Sequence, residues 1–248
     1  MFLLFHDVYA IDPRESGFQS PAADRYKLRA TAFVRQIASL YDTRPTLPFA
    51  LTFDDGGVSF YTEVADRIEA LGWRAHCFVP TGHIGRAGFM NAAQLRELDR
   101  RGHTIGSHSA SHPSRMSALS SEAVSSEWQR SVAVLEDLLG RAVTTASVPG
   151  GFTSQGVENA AAAAGIRTLF TSEPVTHTWR RGACSVAGRF TIRHDSAADL
   201  AARFVARAPL ARWAAWADWN VKAAVKPLLG SAYPRIADWL LAQRAAGH

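Results

Sequence analysis

Only two of the 248 residues are cysteine, Cys77 and Cys184. Two thiols cannot build a disulfide framework, and no Cys-x-x-Cys spacing is present, so buried free thiols are expected. No run of eighteen apolar residues occurs, which excludes a transmembrane helix. The apolar opening Met1-Phe2-Leu3-Leu4-Phe5 meets His6 and Asp7 at once. It is far too short for the apolar core of a signal peptide, so a cytoplasmic protein is expected. No cluster of Lys and Arg is interleaved with aromatics, so nucleic acid is not an expected partner. Internal repeats and low-complexity segments are also missing.

What remains is a chain of ordinary globular make-up, with 47% hydrophobic and 20% charged residues. Its net charge of +5 is mild and compatible with an anionic glycan or a membrane surface. The length suits one barrel of alternating strands and helices. Short apolar runs read as strands at Phe2–Phe5, Ala50–Phe53, Trp73–Val79, His103–Gly106, Val143–Val148, Ile166–Phe170 and Gly188–Asp195. Helical spacing falls between them at 28–41, 62–71, after Asn91, at 121–139 and at 154–164. Residues 9–24 carry Pro, Gly, Ser, Asp and Arg without periodicity and read as a long loop, from which Arg14, Ser16 and Phe18 could line a site. Alternation of this kind predicts a parallel sheet with helices outside.

Two stretches carry chemistry. In Ala50-Leu51-Thr52-Phe53-Asp54-Asp55-Gly56-Gly57 a buried strand ends in adjacent carboxylates and two glycines. Neighbours on an extended chain point to opposite sides, so one acid can face a metal while the other faces a reacting group. Taken alone, the run also reads as an Asp-Gly turn between a strand and a helix. In Gly106-Ser107-His108-Ser109-Ala110-Ser111-His112-Pro113 two histidines stand four apart. On one helical turn such residues share a face, and two imidazoles there can grip one divalent ion. One Asp and two His make three protein ligands and leave a position for water, the ligand count of a catalytic site.

Thr52-Phe53-Asp54-Asp55-Gly56 and His108-Ser109-x-x-His112 resemble, in order and spacing, the first two motifs of the polysaccharide deacetylases. This is the NodB-homology family, also called carbohydrate esterase family four. The resemblance covers residues 1 to about 195 and leaves the last fifty or so unexplained. It implies a distorted (β/α) barrel of about seven parallel strands over residues 1–197; residues 198–248 read, from their own pattern, as a helical extension packed on it. It implies that Asp55, His108 and His112 hold one divalent ion, for which mixed nitrogen and oxygen ligation points to zinc, with cobalt or nickel also accepted. It implies that Asp54 is the base and that an acetamide, or as the second choice an O-acetyl ester, on an N-acetylated sugar or glycan precursor, which can be lipid-linked, is hydrolysed.

Departures from the family pattern matter as well. Phe5-His6 resembles the aromatic–His pair that closes the family's first strand; His6 then contacts substrate or a ligand carboxylate, or else only packs the barrel rim. The third motif, Arg-x-Pro-aromatic-Gly in the family, reads Ser147-Val148-Pro149-Gly150-Gly151 here. Its turn is expected to line substrate through Pro149 and Gly151 and to offer the Gly150 N–H to an oxyanion. Its arginine is missing, so Asp54 needs another partner, for which Arg14 is a candidate. Trp179 stands near the fourth motif without that motif's acids. His194 stands where the family places its general acid, although Arg193 interrupts the pattern, and a surface His is the alternative.

The tail repeats Trp213, Trp216 and Trp219, with Arg212, Lys222 and Lys226 alongside and Trp239 later. It reads as a helix packed on the barrel, or as one that lies on an anionic membrane. Two other functions stay open at this point: a glycan-binding relative without catalysis, and a hydrolase of small non-glycan amides.

Overall fold

The computed structural model describes residues 1–229, with side chains described as far as Val221. Eleven strands run in chain order: β1 (Phe2–Phe5), β2 (Val8–Tyr9), β3 (Leu28–Arg29), β4 (Ala50–Phe53), β5 (Ala75–Val79), β6 (Thr104–Ser107), β7 (Thr145–Ser147), β8 (Thr168–Phe170), β9 (Thr178–Arg181), β10 (Cys184–Ala187) and β11 (Phe190–Thr191). Nine of them form one sheet in the order β11-β1-β4-β5-β6-β7-β8-β10-β9, and β2 pairs with β3 separately. Every neighbour in the large sheet is parallel except the edge strand β9, which pairs antiparallel with β10.

The sheet is curled. Ser147 at the end of β7 bonds Asp54 just past β4 at 3.0 Å, although β5 and β6 lie between those strands in the sheet. A flat sheet with about 4.8 Å between neighbours would hold them far apart. The last strands complete the curl. Only Gly188 and Arg189 separate β10, which pairs with β8, from β11, which pairs with β1. One extended run of chain therefore ties together the two flanks of the sheet.

Most expected elements are present, trimmed by a residue or two at their ends. The helix after Asn91 is Ala92–Arg100, and the Asn91 side chain and Gln94 cap each other. The long helix is Ser121–Leu139, entered through Ser120 and ended by Gly140 in the left-handed conformation at φ 69°. Several features differ from expectation: the 9–24 loop holds the short turns Pro13–Glu15 and Pro21–Asp24, β2 pairs with β3, and the last strand is only Phe190–Thr191. The predicted helix over 62–71 is a wider π-type turn, Phe60–Val64, running into a short helix, Ala65–Glu69. The segment before the last strand forms a β9–β10 hairpin that the sequence pattern did not announce.

Helices cover the outside of the curl. One apolar layer gathers Leu3, Phe33, Leu51, Ile68, Leu95 and Ile105 under Ala30–Asp42, Ala65–Glu69 and Ala92–Arg100. A second gathers Trp128, Val132, Ala146, Val157 and Leu169 under Ser121–Leu139 and Gln155–Ala163. Both cysteines are free and buried. Of the tail, Leu200–Val205 and Pro209–Leu229 are helices, and Phe204 packs on Phe190 with ring centroids 4.8 Å apart. Among the described residues no helix is long and apolar enough to cross a membrane. Trp239 lies outside the described residues.

Trp128 has no solvent exposure and donates its indole N–H to the Val157 carbonyl at 3.3 Å. Trp128→Ala should destabilise the fold by about 3–5 kcal/mol through the cavity it leaves. Urea unfolding checks this; a loss below ~1 kcal/mol would mean that the layer collapses around the hole.

Candidate active site

Parallel barrels build their sites where strand C-termini open into loops, and the chemistry-bearing residues meet there. Strand β4 ends at Phe53, and the chain then turns through Asp55 in the left-handed region at φ 73° and Gly56 at φ 66°. This turn aims the two adjacent carboxylates at different partners. Asp55 Oδ1 lies 3.4 Å from His108 Nε2 and 3.2 Å from His112 Nε2. Asp54 turns to Arg189 and Ser147.

The two histidines do not share a helical turn, as their spacing had suggested. The chain leaves β6 as a loop in which Ser109 and His112 are left-handed, at φ 65° and 58°. Non-glycine residues held this way are strained and persist only where their surroundings enforce it. The surroundings do so here. The Ala110 and Ser111 N–H groups donate to one oxygen of Glu127 at 2.9 and 2.8 Å, and the Ser111 hydroxyl donates to the other at 2.7 Å. His112 N–H donates to Ser109 Oγ at 3.0 Å. His108 Nδ1 lies 2.9 Å from the Ser147 carbonyl, an acceptor only, so it carries a proton and turns Nε2 toward Asp55.

Asp55, His108 and His112 each place a ligand atom within 4.8 Å of the others. A carboxylate oxygen with two imidazole nitrogens, one of them oriented from behind, is a donor set that fits a divalent ion. Burial opposes the charge on Asp55, yet the histidines outweigh it and hold its carboxyl well below the usual range.

Asp54 is held by a residue the motifs did not reveal. Arg189 has no solvent exposure and donates to both oxygens of Asp54 at 2.7 Å. It also donates to Ser147 Oγ at 2.7 Å, the Thr171 carbonyl at 2.9 Å and Thr52 Oγ1 at 3.2 Å. Phe78 and Phe170 flank the guanidinium at 5.7 and 5.8 Å. Burial opposes ionisation of Asp54, but Arg189, with His108 3.9 Å away, keeps its pKa below the ordinary carboxylate value. Arg14 does not take this part: it is exposed and paired with its neighbour Asp12 at 2.6 Å. The signal for Arg189 was an arginine inside the otherwise buried run Val186–Ile192, which demands a buried counter-charge.

The other expected residues divide. His6, just past β1, packs on Tyr26 at 4.8 Å, and its buried Nδ1 has no hydrogen-bond partner. Burial lowers its pKa, opposed by Asp55 and Asp54, so it faces their field. Pro149 and Gly151 are buried and serve the turn itself. Gly151 N–H is used by the Val148 carbonyl at 2.9 Å, whereas Gly150 is exposed. His194 is not brought to the cluster: it is exposed, with Nδ1 3.0 Å from the Arg25 carbonyl. Trp179 sits on edge strand β9 with its indole N–H 3.3 Å from Glu158, away from the centre. Phe18 from the first loop does reach the site, its ring 4.5 Å from His112 and 5.1 Å from Phe89. Within the tail, Arg212 lies over Phe190 and Trp219 stacks on Phe152, so neither contributes to an outward cationic face. The side chains of Lys222 and Lys226 lie outside the described residues.

A parallel barrel with carboxylates and imidazoles converging at its strand ends is the class that fold and site define. The family profile described as polysaccharide deacetylase matches residues 41–169, just over half the chain. The chain belongs to that family. It is 31% identical over 104 residues to a chitin deacetylase of Pestalotiopsis sp, a match covering 41% of this chain and 34% of that protein, so it spans about a third of that relative. Among solved structures it is similar to IcaB from Ammonifex degensii, with TM-score 0.64 and 20% identity over 81% of this chain and 95% of that one. It is similar also to BC0361, a polysaccharide deacetylase from Bacillus cereus, with TM-score 0.66 and 16% identity over 79% of this chain and 66% of that one. At these identities the structures support the fold alone.

Two predictions follow from the charges. Arg189→Met should cost about 3–5 kcal/mol by leaving Asp54 buried without its partner, and adding Asp54→Asn should restore part of the loss. Urea unfolding of the four proteins of this cycle measures both; additive losses would show that the pair is not coupled.

Behind the site, buried Asp7 accepts from Ser16 Oγ at 2.7 Å and Ser59 Oγ at 3.0 Å, pinning the first loop to the turn after Asp55. A Cβ on Gly57 would lie 1.7 Å from Asp7 Oδ1, so only glycine fits there. Burial, then the nearby Asp55 charge, raises the Asp7 pKa from 3.8 to about 6. Folding thus favours its protonated form. That stability is fully present below pH 3.8 and is lost as pH rises through about 6. Asp7→Asn should raise thermal stability at pH 8 relative to wild type, by up to about 3 kcal/mol, and much less at pH 4. Melting curves at both pH values test this; a gap independent of pH would rule it out.

Proposed function

We propose that this protein is a metal-dependent deacetylase that hydrolyses the acetamide of an N-acetylated sugar in a glycan or glycan precursor, in glycan biosynthesis. The observation that carries the reading is the separation of two adjacent acids. Asp55 joins two histidines in a ligand set, while Asp54 is kept out of that set, ionised and aimed by Arg189. A purely glycan-binding relative has no use for the second, costly buried charge. The family affiliation and the 31% identical chitin deacetylase support a carbohydrate rather than a small amide.

Asp55, His108 and His112 would hold the ion, with zinc expected and cobalt or nickel also suited to the donors. When bound, such an ion polarises a carbonyl and acidifies a water. Asp54 accepts the proton of the attacking water, its carboxylate fixed by the Arg189 fork and the Ser147 hydroxyl. Water oxygen bonds to the acetamide carbon, and the exposed Gly150 N–H is the candidate donor to the oxyanion. As the carbon–nitrogen bond breaks, the amine takes a proton and acetate leaves. The proton that Asp54 has taken is the one at hand for the amine, because burial holds His6 neutral and His194 is tied to Arg25 at the surface. Phe18 and Phe89 give the mouth of the site an apolar wall.

Asp54→Asn should retain bound metal while losing about 10²–10⁴-fold in turnover. Metal content by plasma mass spectrometry and acetate release from N-acetylglucosamine oligomers and lipid-linked N-acetylated sugars measure the two. Chelation should abolish release by the wild type, and zinc should restore it. Near-wild-type turnover in Asp54→Asn would remove the base from the scheme.

A further inference from the structure

The helix Pro209–Leu229 is placed by contacts along its inward face. Arg212 lies over the Phe190 ring at 5.6 Å and donates to the Phe204 carbonyl at 3.2 Å. Higher up, Asp218 accepts from Arg193 at 2.6 Å, and Trp219 stacks on Phe152 with ring centroids 4.4 Å apart and planes 14° apart. Phe152 directly follows the Pro149–Gly151 turn, so this stack stands at the rim of the active site.

Below the stack the helix stands off from the loop Pro174–His177. A cleft of about 290 Å³ opens there, lined among others by Val175, His177, Arg212, Trp213 and Trp216. Its loop begins two residues after Ser172, whose side chain fills the space beside Gly151 of the β7 turn. Trp213 is 66% exposed and Trp216 48%, so two indoles stand largely unpacked. Arg212 Nε is buried in the wall without a hydrogen-bond partner, and His177 is exposed beside it. Flat apolar rings next to nitrogen donors suit a ligand with an apolar face and a hydroxylated edge. A pyranose ring has that shape. A bilayer surface would match a face with several cations, whereas this cleft is lined by one arginine.

We infer that the cleft is a distal subsite for the glycan chain, taking one sugar ring between Trp213 and Trp216 with Arg212 and His177 at its polar edge. The rest of the chain passes over Phe152 and Trp219 into the active site. This rests on the deacetylase reading and extends it to a polymeric substrate.

The test compares wild type with Trp213→Ala/Trp216→Ala on β-linked N-acetylglucosamine dimers and hexamers. The ratio of hexamer to dimer kcat/KM should fall about tenfold or more in the variant, through KM rather than kcat. An unchanged ratio overturns the subsite. Calorimetric titration of hexamer into both proteins separates the two readings. If the wild type releases no acetate yet binds hexamer and the variant does not, the deacetylase reading falls and the subsite stands. If neither protein binds hexamer, the subsite falls. Sedimentation with phosphatidylglycerol vesicles closes the remaining route: a variant that loses vesicle binding but keeps hexamer binding has a membrane face there, and the inference is overturned.

Discussion

The ion pair between Asp54 and Arg189 is the constraint on which the rest of the structure turns. Both side chains are buried, and neither charge would be tolerable alone. To meet, they need the end of β4 and the junction of β10 with β11 to face each other across the interior of the curl. The same guanidinium reaches Thr52, Ser147 and the Thr171 carbonyl, so it gathers β4, β7 and the end of β8 around one point. The sheet must therefore curl, and Arg189 sits where one run of chain joins its two flanks. In this protein the group that shapes the barrel interior also orients the proposed base.

A second layer of support surrounds the ligand set. Glu127 takes two backbone N–H groups and a hydroxyl from the loop that carries His112, and the Ser147 carbonyl orients His108. Ser147 thus serves both halves of the site, its carbonyl on a ligand histidine and its hydroxyl on Asp54. The strained residues Asp55, Ser109 and His112 cluster where these supports act. Strain concentrated at one cluster and enforced from several elements is how a fold pre-arranges a site.

The altered third motif takes on a definite meaning in this setting. Its arginine is absent from the β7 turn, yet a guanidinium still stands on Asp54, delivered from another strand. The buried proline and the glycines keep the turn tight, and Phe152 beyond it meets the C-terminal helix. That helix, outside the reach of the family resemblance, is thereby tied to the segment that follows the β7 turn.

Local pattern was enough to state several things about this protein. Alternating strands and helices, Asp54-Asp55-Gly56 at a strand end and His108 with His112 in a small-residue segment all follow from side-chain periodicity and spacing, which depend on near neighbours. The parallel barrel and the convergence of Asp55, His108 and His112 were legible for that reason. What holds Asp54 was not, because Arg189 lies 135 residues away and only closure of the sheet brings it near. Arg14, nearer in sequence, is captured instead by its own neighbour Asp12. The placement of His6 and His194 was likewise decided by tertiary structure: His6 is buried within the field of Asp54 and Asp55, whereas His194 is exposed and tied to Arg25. Sequence distance carries no information about which side of a curled sheet a residue faces once several strands lie between; packing decides that.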